Sequence, residues 1–210
     1  MALTNTRDGW GLMARLLHWG LAVLIIFQLG VGLYMVQVVG DDLIQRFNLT
    51  QMHKSWGVIV ILLVAIRILW RAASVRPAHP PMPAWQETAS KTSHILLYVL
   101  MVALPVSGWM MASASPLNDA GAYVQIKNQV TLQYLFGKDA LDAVGLKEMV
   151  LFEMPDLFDP GDKHIEAMWK EVHFWSAMGL IAILAAHIAG ALKHQLIDRD
   201  GLLRKMIIGR

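Results

Sequence analysis

Two histidines in the last apolar segment of the chain could serve as metal ligands. His173 and His187 lie fourteen residues apart within 172–192, a stretch without Asp, Glu, Lys or Arg. On an α-helix this spacing is about 40° short of four full turns and a rise of about 21 Å. Both imidazoles therefore leave the same face of the helix, near its opposite ends. A membrane-spanning helix of this kind would offer one nitrogen ligand in each leaflet, which suits two stacked metal or haem sites.

The composition is that of a membrane protein. The chain has 210 residues, of which 56% are hydrophobic, and its mean hydropathy is +0.45, far above the norm for soluble proteins. Its length predicts a single domain. Cysteine is absent, which excludes c-type haem attachment, iron–sulfur clusters, thiolate-held zinc and disulfides. Any metal must be held by nitrogen, oxygen or thioether ligands.

Four segments are long and apolar enough to cross a bilayer. We expect spans at about 14–39, 50–71, 92–114 and 168–193 in an all-α, up-down-up-down bundle. The proline-rich stretch 76–85 should be an extended connector, and Pro105 should kink the third span near Ser107 and Gly108. Residues 115–167 are too polar and too long for a turn. They predict an extramembrane cap with short helices, and a helix start at 162–171 should lead into the fourth span.

Basic residues are distributed unevenly around these spans. They collect before the first span, around the second connector and in the tail, at Arg7, Arg15, Arg67, Arg71, Arg76, Lys91, Lys193, Arg199, Arg204, Lys205 and Arg210. The stretch 115–171 instead has ten acidic residues and five lysines. The positive-inside rule therefore predicts that both termini are cytoplasmic and that the long loop lies outside.

This orientation gives each histidine in a span a depth. His18, His94 and His187 lie near the inner face, and His53 and His173 lie near the outer face. Depth pairs His53 with His173, and pairs His187 with either His18 or His94. A single intramembrane histidine is more often a packing residue than a ligand, but an unsatisfied buried imidazole is costly and a shared metal would satisfy both partners. Two imidazoles without cysteine or carboxylate suit low-spin haem better than zinc or copper, so haem b is the predicted cofactor.

His94 and three further side chains form a second tier of candidates for the haem sites. Arg67 and Arg71 lie one helical turn apart and could grip haem propionates, although snorkelling to the interface is the commoner role. Lys54 adjoins His53 and, with Lys170, could make a small basic mouth over the outer site. We assign no catalytic residue.

Several short motifs combine into a more specific pattern. They are Arg15-Leu-Leu-His18-Trp19, Met52-His53-Lys54-Ser-Trp-Gly57, Ser93-His94-Ile-Leu-Leu-Tyr98 with Ala103-Leu-Pro105-Val-Ser-Gly108, Glu171-Val-His173, and His187-Ile-Ala-Gly-Ala-Leu-Lys-His194. Together they resemble the bacterial cytochrome b561 family, which is itself similar to the cytochrome b subunit of nickel–iron hydrogenases. The resemblance implies a bacterial inner-membrane protein in which His18 and His187 hold an inner haem b, and His53 and His173 an outer one. It would leave His94 beside a ligand or near a quinone.

Two haems along one helix would form a path for electrons across the bilayer. Because histidines fill both axial positions, oxygen chemistry at the iron is not expected. We expect electron transfer between an external, periplasmic partner and the membrane quinone pool, with ubiquinone as a candidate ligand and no nucleic-acid partner. His94, His194, Arg71 and Lys193 are candidates near the quinone, although His194 is better explained as an interfacial anchor.

The external partner has several alternatives. The acidic loop favours a cationic partner such as a soluble cytochrome. The resemblance includes members that oxidise superoxide and reduce ubiquinone, for which a positive outer mouth would be needed, but the loop looks longer than in the compact members and their outer site transfers poorly. Alternatively, the chain is a haem b anchor subunit that docks a dehydrogenase or hydrogenase. A haem-free metal transporter is a third hypothesis.

Overall fold

Four long helices dominate the computed structural model, which describes residues 2–78, 81–115, 129–158 and 162–209. In chain order the elements are α1 (Leu12–Gln37), α2 (Leu43–Ala73), α3 (Ala84–Ala114), β1 (Gln129–Thr131), α4 (Leu132–Phe136), α5 (Lys138–Ala143), β2 (Val150–Glu153), α6 (Lys163–Lys193) with a π-helical turn at His194–Asp198, and α7 (Leu202–Ile208). Helices α1, α2, α3 and α6 are long and apolar enough to cross a membrane. The predicted four-span, all-α class is therefore confirmed.

Two of the long helices begin at an aspartate cap. The Asp42 carboxylate accepts a hydrogen bond of 2.9 Å from the backbone N–H of Gln45, so α2 begins at Leu43 rather than near residue 50. The Asp162 carboxylate accepts bonds of 3.0 Å from the N–H groups of the second and third residues of α6. These side chains satisfy amides that lack intrahelical partners. The helix start predicted at 162–171 is present, with α6 beginning at Lys163.

Helix α3 also begins earlier than the apolar pattern predicts. It starts at Ala84 rather than near residue 92, directly after Pro83, whose fixed φ suits the entry to a helix. Trp85 was expected in the extended connector and lies instead in the first turn of α3. The difference arises because the hydropathy pattern detects only the apolar part of a helix, whereas α3 includes two polar turns before it.

The described part of the cap, 129–158, combines helices with a small sheet. The short helices α4 and α5 agree with the predicted cap, but the antiparallel pair β1–β2, in which Gln129 lies opposite Glu153, was not predicted. Phe136 of α4 packs edge-on against Trp56 of α2, with ring centroids 6.4 Å apart. This contact attaches the cap to the end of a span. The remainder of the predicted cap, 116–128 and 159–161, lies outside the described residues.

The chain divides into two compact units. The first comprises Met1–Ile25, Leu62–Val102 and Met178–Arg210, and the second comprises Ile26–Ile61 and Ala103–Ala177. Inside the first unit, Leu21, Val64 and Leu180 are almost fully buried. The interior of the second unit is more polar, and it includes buried Gln28, Gln51, Ser55, Ser107 and Ser113 besides Val60 and Ala112. Large apolar side chains such as Val23 and Leu69 are exposed, as expected of faces that contact lipid.

Candidate functional site

Three histidines from three helices meet in the first unit. His18 of α1 and His187 of α6 have ring centroids 6.4 Å apart, with an interplanar angle of 66°. His94 of α3 lies closer to His187, at 5.2 Å and 78°. The structure thus brings together all of the histidines that depth assigned to the inner face.

Arg67 of α2 joins this inner cluster. Its Nη2 donates a hydrogen bond of 2.8 Å to Nδ1 of His18, and its Nε donates one of 3.1 Å to the Tyr98 hydroxyl. The Arg71 guanidinium lies 5.6 Å from the centroid of the Tyr98 ring, within cation–π range. Both predicted arginines are therefore at the inner cluster. Tyr98 was not predicted as a site residue, although its position one turn after His94 indicates that the two share a helix face.

The Nδ1 atoms of His18 and His94 have different hydrogen-bond partners. A guanidinium can only donate, so Nδ1 of His18 accepts from Arg67 and carries no proton in this arrangement. Nδ1 of His94 instead lies 2.7 Å from the Ser90 carbonyl oxygen and must donate to it. Neutral His94 therefore carries its lone pair on Nε2, whereas neutral His18 carries its proton there.

Helix α7 is hydrogen-bonded to α1 on both sides of His18. Arg15 is buried, and its Nη1 donates a hydrogen bond of 2.8 Å to the Ile207 carbonyl. The indole N–H of Trp19 donates one of 3.1 Å to the Met206 carbonyl. These carbonyls belong to the last turn of α7, where intrahelical donors are lacking. The pairing holds α7 against the turn of α1 that carries His18.

The outer pair forms in the second unit. His53 of α2 and His173 of α6 have ring centroids 6.3 Å apart, with an interplanar angle of 82°. Nδ1 of His173 donates to the Leu104 carbonyl at 2.9 Å and lies 3.2 Å from the Ser107 hydroxyl oxygen. The Ser107 hydroxyl donates to the same carbonyl at 2.9 Å. These contacts fix the proton of His173 on Nδ1 and leave the Nε2 lone pair available for a ligand.

His53 is held differently from its partner. Its backbone carbonyl accepts a hydrogen bond of 2.8 Å from Nε2 of Gln28, a side chain that is only 7% exposed. Among the contacts of the described residues, Nδ1 of His53 is buried without a hydrogen-bond partner. Gln28 was not predicted as a site residue. Its amide within an uncharged span was the available indication, because a polar group at that depth needs a partner in the protein.

Two glycines face the rings of the outer pair at different distances. A Cβ atom added to Gly108 would lie 3.1 Å from Cε1 and 3.3 Å from Nδ1 of His173. A Cβ added to Gly32 would lie 3.6 Å from Cε1 of His53, which is an ordinary van der Waals distance. Gly108 is therefore the position at which the absence of a side chain makes room for an imidazole.

One of the two lysines predicted near the outer site, Lys54, has a carboxylate nearby. Lys54 interacts electrostatically with Asp156 of the cap, so a nearby carboxylate offsets its charge. Lys170 is exposed on α6. Part of the positive charge predicted over His53 and His173, that of Lys54, is therefore offset by Asp156.

His194 lies in the π-helical turn that follows α6. Its Nδ1 is 2.6 Å from an Asp200 carboxylate oxygen and 3.3 Å from an Asp198 oxygen. Lys193 pairs with the same Asp198 oxygen at 2.5 Å and lies 5.9 Å from the Trp85 ring centroid. His194 is thus part of a charged cluster at the end of the span, in keeping with its expected interfacial position.

The geometry of both histidine pairs fits a metal held between two imidazoles. Metal–nitrogen bonds of about 2.0 Å on opposite sides of one ion put the ring centroids roughly 6 Å apart. The separations of 6.4 Å for His18–His187 and 6.3 Å for His53–His173 agree with this value. In the outer pair, the lone pair on Nε2 of His173 is a further feature of a ligand site. So is Nδ1 of His53, which is buried without a hydrogen-bond partner in the part of the chain that the structure describes. Two imidazole nitrogens in each pair are a donor set that would suit haem iron.

Comparison with known proteins gives the family. The family model described as prokaryotic cytochrome b561 matches residues 9–209. Cytochrome b561 homolog 2 of Escherichia coli (strain K12) is 26% identical over 211 residues, which cover 99% of this chain and 95% of the relative. Cytochrome b561 homolog 1 of the same organism is 27% identical over 157 residues, covering 74% and 72% respectively. With four apolar helices and a family match over nearly its whole length, the chain belongs to the prokaryotic cytochrome b561 family and is a membrane haem b electron-transfer protein.

Proposed function

We propose that this protein carries electrons across the membrane between an external redox partner and the quinone pool, through two haem b groups. His18 and His187 would hold the inner haem, and His53 and His173 the outer one. The observation that carries the proposal is the presence of one such histidine pair in each compact unit. Both pairs take one member from α6, so a single helix contributes a ligand to each haem.

The role of the chain in this reaction is to bind and orient. Haem b, when bound, supplies a centre that gains and loses one electron. The two imidazoles of each pair would hold the iron and leave no ligand position for oxygen or other small molecules. The protein would therefore pass electrons onward and would not activate oxygen.

The ring separations support His18 over His94 as the inner partner of His187. A metal between two imidazoles needs centroids roughly 6 Å apart, and the 5.2 Å between His94 and His187 is shorter than this. The proton positions argue the other way, because Nε2 of neutral His94 carries a lone pair and that of neutral His18 carries a proton. Ligation by His18 would require its proton to move to Nδ1 and Arg67 to turn away. A haem propionate would be an apt acceptor for the released guanidinium.

The charges of the two units support the proposed topology. The segments of the first unit contain eleven basic and four acidic residues, a net charge of +7. Those of the second unit contain seven basic and twelve acidic residues, a net charge of −5. The positive-inside rule then assigns the termini and the 74–83 connector to the cytoplasmic side, and the cap to the periplasmic side of a bacterial inner membrane.

The cap supports a cationic external partner. Its described residues include the exposed acidic side chains Asp139, Asp142, Glu148, Glu153 and Asp156, and Asp156 interacts with the lysine beside His53. A negative surface attracts a basic protein and repels an anion such as superoxide. We therefore favour a soluble cytochrome over superoxide as the donor or acceptor on this side.

Alanine substitutions of the histidines test the ligand assignment. His18→Ala and His187→Ala should each lower the haem content of the purified protein from two per chain to one, and should remove the same spectral component. His53→Ala and His173→Ala should remove the other component. Haem content is measured by the pyridine haemochrome assay, and the components are separated by redox titration. His94→Ala is the matched control and should retain both haems. Loss of a haem in His94→Ala, with retention of both in His18→Ala, would reverse the inner assignment.

Gly108→Ala should weaken the outer haem site. The new methyl group would lie 3.1 Å from the His173 ring, and the ring cannot yield without losing its bond to the Leu104 carbonyl. Overpacking of this kind typically costs about 1–3 kcal/mol, and we expect partial loss or altered potential of one haem only. Gly32→Ala, whose methyl group has ordinary contacts with His53, should leave the redox titration unchanged. Equal effects of the two variants would contradict a special role for Gly108.

The absence of native cysteine allows a clean test of topology. Asp139→Cys in the cap and Arg204→Cys in the tail are both at exposed positions. A membrane-impermeant maleimide applied to spheroplasts should label the cap cysteine at once and the tail cysteine only after the membrane is permeabilised. The reverse order would place the termini outside and refute the proposed orientation.

The external partner is tested by reduction of the haem in the purified protein. A reduced soluble cytochrome with a basic surface should reduce it, and the rate should fall by about tenfold or more as the ionic strength rises from roughly 10 to 150 mM, because the attraction is screened. Decylubiquinone should then reoxidise it. Asp139→Lys should slow the reduction, whereas Asp8→Lys, an exposed charge change in the first unit, should not. Reduction by superoxide and not by the basic cytochrome would refute a cationic partner, and the absence of a Soret band would refute haem transport altogether.

A further inference from the structure

Helix α7 and the turn before it connect the two helices that carry the inner histidine pair. His187 belongs to α6 and His18 to α1. The segment that contains α7 is hydrogen-bonded to the end of α6 on one side and to α1 on the other. All of these residues lie within the first compact unit. The segment therefore bridges the two ligand helices of one site.

Asp200 attaches the start of α7 to the end of α6. One of its carboxylate oxygens accepts a hydrogen bond of 3.0 Å from the backbone N–H of Leu202, and the other lies 2.6 Å from Nδ1 of His194. An ionised carboxylate can only accept, so His194 donates to it. His194 follows His187 by seven residues, which is about two helical turns. The start of α7 is thus fixed to the turn that continues the helix of His187.

The other end of α7 is bonded to the side chains that flank His18. The Met206 carbonyl, which accepts from the indole N–H of Trp19, is the more direct of the two contacts. The Trp19 ring lies edge-on to the His18 ring, with centroids 5.1 Å apart and an interplanar angle of 78°. By fixing the indole, α7 fixes one boundary of the space in which the His18 imidazole can turn.

Gly209 brings the end of α7 close to Arg15. Its φ of +89° lies in the region that favours glycine, and its N–H donates to the Lys205 carbonyl at 2.9 Å. A Cβ atom added to Gly209 would lie 3.0 Å from the Trp10 carbonyl oxygen and 3.2 Å from Nη1 of Arg15. The backbone of this turn therefore packs directly against the guanidinium that bonds to Ile207.

The first turn of α1 has hydrogen-bond partners other than α7. The N–H groups of Leu12 and Met13 donate to the carbonyls of Ala2 and Leu3, at 3.0 and 3.3 Å. The hydrogen bonds from α7 go instead to side chains on either side of His18. They therefore affect where this part of α1 lies relative to α6, rather than whether α1 forms.

We propose that α7 holds α1 and α6 in the relative position that the inner haem requires, with Arg15, Trp19 and Asp200 as positioning residues. The inference rests on the proposed assignment of His18 and His187 as the ligands of that haem. Metal–nitrogen distances vary little, so a metal between two imidazoles tolerates little change in their separation. Residues that orient a ligating histidine commonly change the affinity for the metal by about 10- to 100-fold. The outer pair, which lies in the second unit, is an internal reference.

Haem release from the purified protein tests this proposal. A chain that ends at Gly201 lacks α7, whereas Trp19→Phe loses only the indole N–H. Excess apomyoglobin should take up the inner haem about 5-fold or more faster from the truncated chain. For Trp19→Phe the rate should rise about 2- to 10-fold, the effect of one lost hydrogen bond of roughly 0.5–1.5 kcal/mol. Release of the outer haem should be unchanged. Arg204→Ala, at an exposed position of α7, is the matched control and should equal the wild type.

Electron paramagnetic resonance distinguishes positioning from a general loss of stability. The low-field g value of a ferric haem with two imidazole ligands depends on the angle between the ring planes. Truncation at Gly201 and Asp200→Ala should shift this g value only for the component that His187→Ala removes. Arg15→Met should shift the same component, whereas Arg15→Lys, which can still donate to the Ile207 carbonyl, should largely restore it. Equal shifts of both components, or no shift of either, would refute a positioning role.

The separation of α1 and α6 tests the inference without reference to haem. Leu16→Cys and Leu192→Cys put spin labels at exposed positions of the two helices, in a chain without native cysteine. Double electron–electron resonance should give a narrower distance distribution in the full-length chain than in the chain that ends at Gly201. Identical distributions would overturn the proposal. If His18→Ala retains both haems, the ligand assignment of the proposed function fails, and the distance distributions still decide whether α7 holds the two helices.

Discussion

An imidazole inside a membrane span must find its hydrogen-bond partners within the protein, because hydrocarbon offers none. The outer site shows how one helix meets this requirement. Within α3, Pro105 removes a backbone donor, and three residues around it converge on His173. The Leu104 carbonyl accepts from Nδ1, the Ser107 hydroxyl donates to the same carbonyl, and Gly108 leaves space for the ring. A single turn of α3 thus fixes the position of the His173 ring and the nitrogen, Nδ1, that carries its proton.

The inner site meets the same requirement in another way. Arg67 donates to Nδ1 of His18 and to Tyr98, while His94 is satisfied by a carbonyl of its own helix. The His173 side of the outer site is therefore preorganised for a ligand at Nε2, whereas the inner site would have to exchange one hydrogen bond of His18 when it binds haem. Preorganisation of a ligand residue lowers the free energy needed to orient it on binding. On this argument the two sites would differ in haem affinity even with the same pair of residue types.

Much of this arrangement could be predicted from the sequence, and the failures have physical causes. Hydropathy located the four spans, but it missed the polar first turns of α2 and α3, which depend on Asp42 and Pro83. Depth along each span grouped the histidines correctly by unit, yet it could not choose between His18 and His94, since both lie at one level and their distances to His187 depend on helix rotation. Gln28 and Tyr98 went unassigned because their positions indicate only that each needs a polar partner, and the partners themselves, a backbone carbonyl and an arginine on another helix, cannot be identified from spacing along the chain.

Two arginines near the inner cluster form hydrogen bonds inside the protein, which affects how far basic residues can set the orientation of the chain in the membrane. Positive residues favour the cytoplasmic side only while they remain at or near the aqueous interface. Arg15 and Arg67 are engaged with Ile207 and with His18, and so they serve the fold and the site. Without them the first unit still has nine basic residues against four acidic ones, while the second unit keeps its net charge of −5. The charge difference between the units therefore remains when Arg15 and Arg67 are left out, and these two arginines can serve the fold and the inner cluster without loss of the charge pattern that sets the topology.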